Sequence, residues 1–271
     1  MSEVDVVMEQ AFQLFADLLE LKKVYYLKVV QPVPSFSEDE RKQHTENGAV
    51  LLKYNLPALD ADLCSKLVDN IYGLITKNQP AKKEQVDKIK SFIDGVTVQF
   101  YEEFLSAGHL EGFSAEGFSQ DEQVLLNFIV RQALRPFLEK YVSLLPPEVG
   151  DERWQRSYCP VCGEKANLSY LRQEDGKRML ICPFCGKEWL YRFLVCSWCE
   201  NEDHKNIKYF EVAEVPGYEV FLCEQCHGYL KTFNAKKAAT HDEWVLEDVK
   251  TVVLDLLARR EGYGGQEEKL I

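Results

Sequence analysis

Over the first 145 positions apolar residues recur every three to four residues. Val7, Ala11, Leu14, Phe15, Leu18 and Leu21 share one helical face, as do Leu63, Leu67, Ile71 and Leu74. A third run, "EQVDKIKSFIDGVTVQFYEEFL", keeps the spacing through Val86, Ile89, Ile93, Val96 and Phe100 and reads as one helix. A fourth starts at "SQDE", where Ser119 is the expected N-cap and Glu122 its capping-box partner. It continues through Leu125, Phe128 and Ile129 to Pro136, where a kink is expected. "QPVPSFSEDE", "KNQPAKK" and "SAGHLEGFSAEG" carry breakers and read as connections. These runs predict a helical bundle.

Pro146, Pro147 and Gly150 end that rhythm. Beyond them "NLSYL", "RMLIC", "EWLYRFLVC", "IKYFEV" and "YEVFLC" are short and rich in aromatic and β-branched residues, as strands are. "EDGK" and "VPGY" supply turns between them. The helical period returns in "THDEWVLEDVKTVVLDLLARREGY". Thr240 and Glu243 are the expected caps there, and Val249, Val252, Val253, Leu256 and Leu257 the expected apolar face. The fold class expected is α+β. A helical bundle domain spans 1–150, a tandem four-cysteine β module of zinc-ribbon or rubredoxin-like type spans 151–239, a C-terminal helix spans 240–262, and 263–271 form a frayed tail.

Eight of the nine cysteines change the picture. They fall in four Cys-x-x-Cys pairs: Cys159/Cys162, Cys182/Cys185, Cys196/Cys199 and Cys223/Cys226. The sequence thus repeats one unit twice: pair, strands, pair. Two cysteines in a tight turn can bind one ion, and two such turns joined by a hairpin offer four sulfurs in a tetrahedron. Closing sequential hairpins would join the first pair to the second and the third to the fourth; interleaved pairing would join them crosswise. Gly163 and Gly186 follow the first two pairs, where a positive φ lets a backbone N–H approach sulfur. Glu200 and His227 hold those places after the third and fourth. Either zinc or iron suits four thiolates, so two metal ions are expected, each in a four-cysteine site. Iron would make a rubredoxin-like centre able to pass an electron.

Other chemistry is sparse. A closed four-thiolate site keeps no open position for water or substrate, which argues against metal hydrolysis. Phosphate loops of the GxxxxGK or GxGxxG kind are missing. The histidines at 44, 109, 204, 227 and 241 are scattered, and Cys64 sits alone in a helical pattern, as a small core residue would. No catalytic set emerges. The net charge is −12, made of −8 over 1–150, zero over 151–240 and −4 over 241–271. Such a chain repels phosphate backbones, so no nucleic acid is expected as partner. No signal segment and no apolar run of membrane length are visible. A cytoplasmic location is expected, where thiols stay reduced and paired cysteines read as metal ligands.

"YCPVCGEKANLSYL", "LICPFCGKEWLYRFLVCSWC", "FLCEQCHGYLKTF" and "LEDVKTVVLDLLARREGY" together resemble the FdhE family, accessory proteins of formate dehydrogenase. The likeness rests on the order of the four pairs, on Glu188 and Trp189 after the second, and on Tyr229, Leu230 and Lys231 after the fourth. It also rests on the "LDLLARREGY" ending, and it covers roughly the last 115 residues. It implies a cytoplasmic maturation factor, not an enzyme, that binds the catalytic subunit of formate dehydrogenase and assists formation of the active enzyme. It also implies a rubredoxin-like metal module. Trp189 and Tyr229 stand either in its packing or on a partner-facing surface. A redox protein using iron in the same sites is the alternative.

Overall fold

The structure is a computed structural model that describes residues 3–106, 117–237, 241 and 243–264, the first five by backbone alone. The Val7 side chain, His109, Thr240 and the tail from 265 lie outside the description. In chain order come α1 (Glu3–Tyr26), α2 (Glu38–Asn47), α3 (Ala61–Asn78), α4 (Lys83–Ile93), α5 (Val98–Ser106) and α6 (Gln120–Ser143). Then follow β1 (Leu168–Leu171), β2 (Arg178–Ile181), β3 (Glu188–Tyr191), β4 (Ile207–Glu211), β5 (Tyr218–Cys223), β6 (Tyr229–Asn234), α7 (Trp244–Lys250) and α8 (Val252–Arg260). The described residues form two compact units: those up to 35 with those of 55–144, and those of 36–54 with those from 145 onward.

In the helical unit α1, α3 and α6 pack on one another and α4 packs on α3 and α6. Leu14 and Leu18 of α1 meet a core that includes Leu67, Ile71, Ile75, Val86, Ile89, Leu126, Val130 and Leu134, all buried. Each such side chain contributes about 1.5–3 kcal/mol by leaving water. The capping box at the start of α6 is formed: Ser119 Oγ accepts from the Glu122 N–H at 3.3 Å, and the Ser119 N–H donates to Glu122 Oε2 at 2.7 Å. The helix runs on past Pro136 to Ser143. The third periodic run is two helices instead of one. Its ladder closes at Asp94, the Gly95 N–H turns back to the Phe92 carbonyl at 3.0 Å, and α5 begins at Val98.

The second unit differs from the expected division at residue 150. It takes in residues 36–54, which carry α2, a helix that no apolar run predicted and whose first three residues, 38–40, end the stretch "QPVPSFSEDE" read as a connection. Ser37 caps it through a full capping box with Glu40, and Gly48 closes it at φ 74°. Only His44 of α2 is buried, so no apolar period announces it. The segment is stitched onto the first cysteine pair: the Leu51 N–H donates to the Pro160 carbonyl at 3.1 Å, and the Leu52 N–H to the Val161 carbonyl at 3.0 Å.

The six strands form one sheet in the order β3-β2-β1-β6-β5-β4. β1–β2–β3 is an antiparallel meander, β4–β5–β6 is a second, and the parallel pair β1·β6 joins them. β6 is the strand the sequence pattern missed. All six of its residues are buried, Lys231 and Asn234 included, so polar residues interrupt the expected alternation. The expected C-terminal helix is also two pieces, α7 and α8, broken at Thr251 (φ −98°, ψ 14°). Its buried face is Glu247, Thr251, Leu254 and Ala258; Val253 and Leu256, expected inside, are exposed. The break turns α8 so that Leu254 and Ala258 join Val220, Leu222 and Phe233 in the sheet's core.

Candidate metal centres

Each cysteine pair sits in the same backbone turn. In the first, the Cys159 N–H donates to the Glu164 carbonyl (2.8 Å) and the Gly163 N–H returns to the Cys159 carbonyl (3.0 Å). The same two bonds recur at Cys182, with Lys187 and Gly186, at Cys196, with Asn201 and Glu200, and at Cys223, with Gly228 and His227. The residue after the second cysteine has positive φ in all four turns: Gly163 85°, Gly186 71°, Glu200 60° and His227 56°. Thus the missing glycines did not change the turn; two side-chain-bearing residues occupy a left-handed conformation instead. Each turn aims a backbone N–H at sulfur: Val161 at Cys159 Sγ (3.4 Å), Cys185 at Cys182 Sγ (3.4 Å), Trp198 at Cys196 Sγ (3.3 Å) and Gly228 at Cys226 Sγ (3.4 Å).

The hairpins close sequentially. Cys159, Cys162, Cys182 and Cys185 form one group and Cys196, Cys199, Cys223 and Cys226 the other, with sulfurs in each within 4.8 Å of one another. Recorded sulfur separations are 3.5 Å (Cys159–Cys185), 3.4 Å (Cys162–Cys182) and 3.8 Å (Cys162–Cys185) in the first. In the second they are 3.6 Å (Cys196–Cys226) and 3.8 Å (Cys199–Cys223). A tetrahedron with metal–sulfur bonds of about 2.3 Å has edges of about 3.8 Å. The spacing fits an ion and is far too long for disulfides.

The electrostatics fit as well. Hydrogen bonds from its three sulfur neighbours and burial push the Cys162 thiol up, and burial foremost does the same to Cys185. Cys182 falls: burial disfavours its thiolate, but hydrogen bonds from Cys159, Cys162 and Cys185 outweigh that. In the second group burial raises Cys196, and raises Cys226 to about 11, while N–H donors bring Cys223 down against burial. Close-packed sulfurs without a cation share protons; a bound divalent ion removes the penalty on ionising all four. Half-buried lysines stand by. Burial lowers Lys187 against the pull of Cys159 and Cys185, and lowers Lys165 against the pull of Glu200 and of Cys196, Cys199 and Cys226.

The two groups differ in access. All four cysteines of the first are buried, whereas Cys199 is exposed and Cys226 half-buried. Trp198 covers part of the second group: its Nε1–H donates to the Tyr229 carbonyl at 2.8 Å, and a Cβ on Gly228 would lie 2.7 Å from its ring. A bridge between the ribbons escaped the sequence reading. Ser157 donates to Glu200 Oε1 through N–H (3.0 Å) and Oγ–H (2.7 Å), and Lys165 Nζ reaches Ser157 Oγ and the Trp198 carbonyl (3.2 Å). Ser157 is fully buried, so this serine–lysine pair is a brace, out of reach of a substrate.

The remaining candidates take structural places. Trp189 is fully buried with its Nε1–H on the Arg156 carbonyl (3.0 Å), and Tyr229 is buried with its hydroxyl on Asp255 (2.9 Å), so both are packing residues. Cys64 is a core residue whose thiol burial pushes up to about 12. His204 lies in an exposed turn, and the His227 ring rests near Tyr263 at 5.7 Å.

Two four-cysteine β-ribbons in one mixed sheet, with a helical unit before them and helices after, define a tandem zinc-ribbon-like protein. Residues 158–192 match the FdhE central domain and residues 194–270 the FdhE C-terminal domain. Residues 158–270 of this chain thus carry both FdhE domains. "Protein FdhE homolog" of Aquifex aeolicus is 32% identical over 68% of this chain and 61% of its own length. The homolog of Stutzerimonas stutzeri is 33% identical over 51% of this chain and 48% of its own. The chain thus spans about half to three-fifths of these two relatives, and as little as 36% of others. The crystal structure of the FdhE protein from Pseudomonas aeruginosa has the same fold, with a TM-score of 0.61 over 96% of this chain and 92% of that one, at 20% identity. Among the described residues no helix is long and apolar enough to cross a membrane.

Proposed function

We propose that this chain is a non-catalytic accessory factor that binds the catalytic subunit of formate dehydrogenase in the cytoplasm and assists formation of the active enzyme. Cys159, Cys162, Cys182 and Cys185 hold one metal ion, zinc or iron, and Cys196, Cys199, Cys223 and Cys226 hold a second. The observation that carries the reading is the coincidence of the two FdhE domain matches with the two ribbons whose sulfurs gather at tetrahedral spacing. When bound, the ions clamp small ribbons whose own cores are thin. The chain's residues do the rest. The four turns hold the sulfurs, the Ser157–Glu200 brace fixes one ribbon to the other, and the sheet presents a rigid face to a client. Closed thiolate sites leave no position for substrate, which supports a binding role over catalysis.

The exposure of Cys199 favours a second reading, in which iron at the second group exchanges electrons with the bound client. Anaerobic capture of the catalytic subunit on tagged protein, followed by visible absorption of the factor, tests both. The first reading expects capture that is lost when Cys196 and Cys199 are both replaced by serine. The second adds an iron–thiolate band that bleaches on reduction. Failure to capture the purified subunit contradicts both.

A further inference from the structure

A charge without a bonded partner shares a wall with the second cysteine group. Arg178 of β2 is 2% exposed. Its guanidinium stands 4.2 Å from the Phe221 ring centroid and 4.8 Å from that of Phe193. Such faces attract a cation but do not replace a counter-ion. Its Nε and Nη2 have no hydrogen-bond partner among the described residues. The carboxylate that acts most strongly on it, Glu219, is already taken by Asn234 Nδ2 at 2.8 Å and Lys237 Nζ at 2.9 Å. Burial lowers the pKa of Arg178 to about 10, which leaves it a cation at neutral pH. A cation held out of water without compensation is strongly unfavourable.

Arg178 borders a cavity of about 20 Å³ whose walls also include Cys196, Trp198, Phe221, Cys223 and Gly228. That is room for an ordered water. Neutral thiols would leave the sulfur wall uncharged, whereas four thiolates around a divalent ion carry a net charge of two minus. Metal loading therefore creates the counter-charge that Arg178 lacks. A free small anion is the competing occupant, and the same dianionic wall repels it.

We infer that Arg178 is the fixed counter-charge of the second metal centre, facing the thiolates of Cys196 and Cys223 across this cavity, and that it holds the ion there. The inference rests on the metal reading above. Arg178 is a positioning residue: it touches sulfur's surroundings, not the ion. Cys196 and Cys223 line its cavity and no cysteine of the first group does, so its removal should affect one centre of the two.

The test uses the full chain with Arg178→Met, which is neutral and long enough to fill the slot between Phe193 and Phe221, and Arg178→Lys, which restores the charge. Zinc-loaded proteins are challenged with excess chromogenic chelator. The Met variant should release one of its two ions at least about tenfold faster than wild type, the size expected for loss of a supporting residue around a metal site. The other ion should leave at the wild-type rate, and Lys should restore most of the retention. With iron, the reduced centre is the more negative, so the Met variant should lower the reduction potential of one centre and Lys should recover it; a purely packing role would not move it. Unchanged release and potentials in the Met variant overturn the inference and leave the metal reading intact. A wild type that binds no ion defeats the metal reading itself. Should the Met variant not fold, metal-loaded wild-type crystals grown in bromide decide: an anomalous bromide peak against Arg178 Nε overturns the inference, and a water or a direct contact to sulfur supports it.

Discussion

Glu200 accepts two hydrogen bonds from Ser157, one from the backbone N–H at 3.0 Å and one from Oγ at 2.7 Å. It does so from a left-handed backbone (φ 60°) at a position where the first two turns have glycine. A side chain costs roughly 1–2 kcal/mol in that conformation. Here the carboxylate offsets the cost by satisfying a serine with no access to water. The apparent defect in the third turn is the tie between the two ribbons.

Two substitutions to glycine should therefore have opposite signs. Glu200→Gly relieves the backbone but strands Ser157 and Lys165, and should destabilise the metal-loaded protein by about 1–3 kcal/mol. His227→Gly, at φ 56° and with a ring that only approaches Tyr263 at 5.7 Å, should stabilise it by about 0.5–1 kcal/mol. Urea midpoints with zinc bound measure both.

Chelation of metal should loosen more than the ribbons. Residues 36–54 hang on the first turn through Leu51–Pro160 and Leu52–Val161. Hydrogen exchange in α2 should rise when metal is removed, while α3 and α6 of the other unit stay protected. Cys182→Ser should reproduce that pattern at one ion per chain. Loss of the whole helical signal in circular dichroism would contradict the division into two units.

His44 gives a pH dependence. Its ring stacks on Trp154 (centroids 4.5 Å apart) and its Nδ1–H donates to the Ala49 carbonyl at 2.8 Å. Burial holds its pKa below the usual 6.5, with the charge of Arg156 adding to that and the Ala49 bond opposing it. The unfolded histidine takes up a proton first as pH falls. Its contribution is therefore whole above pH 6.5 and is lost as pH drops through the folded value. Wild type minus His44→Gln, compared as denaturation midpoints across that window, should show the slope; parallel curves would contradict it.

Lys231 is buried between two carboxylates, 2.6 Å from Asp248 and 2.7 Å from Asp255. It fastens α7 and α8 to β6. Lys231→Met leaves both acids without their cation and should cost about 3–5 kcal/mol. Proteolysis should then begin within residues 244–260 before the sheet opens.

The cysteines made the two four-sulfur groups legible, because a two-residue spacing fixes a turn and a repeated turn fixes a group. The capping box at Ser119 and the change of period near Pro146 were legible for the same local reason. What the sequence hid was non-local. β6 is buried through Lys231 and Asn234, whose polarity masks a central strand until their partners Asp248, Asp255 and Glu219 are in place. The capping box of α2 was present in "SEDE", but the helix buries only His44 and shows no apolar period. Arg178 looked like an ordinary strand residue; its burial depends on Phe193 and Phe221, which lie far along the chain.

The central claim is that the eight paired cysteines hold two ions in two sequential groups. Native mass spectrometry of the anaerobically purified chain reads it directly. The account predicts a mass with two ions, which falls to one in Cys182→Ser and to one in Cys223→Ser. A metal-free mass, or one lowered by the hydrogens lost to disulfides, would contradict it.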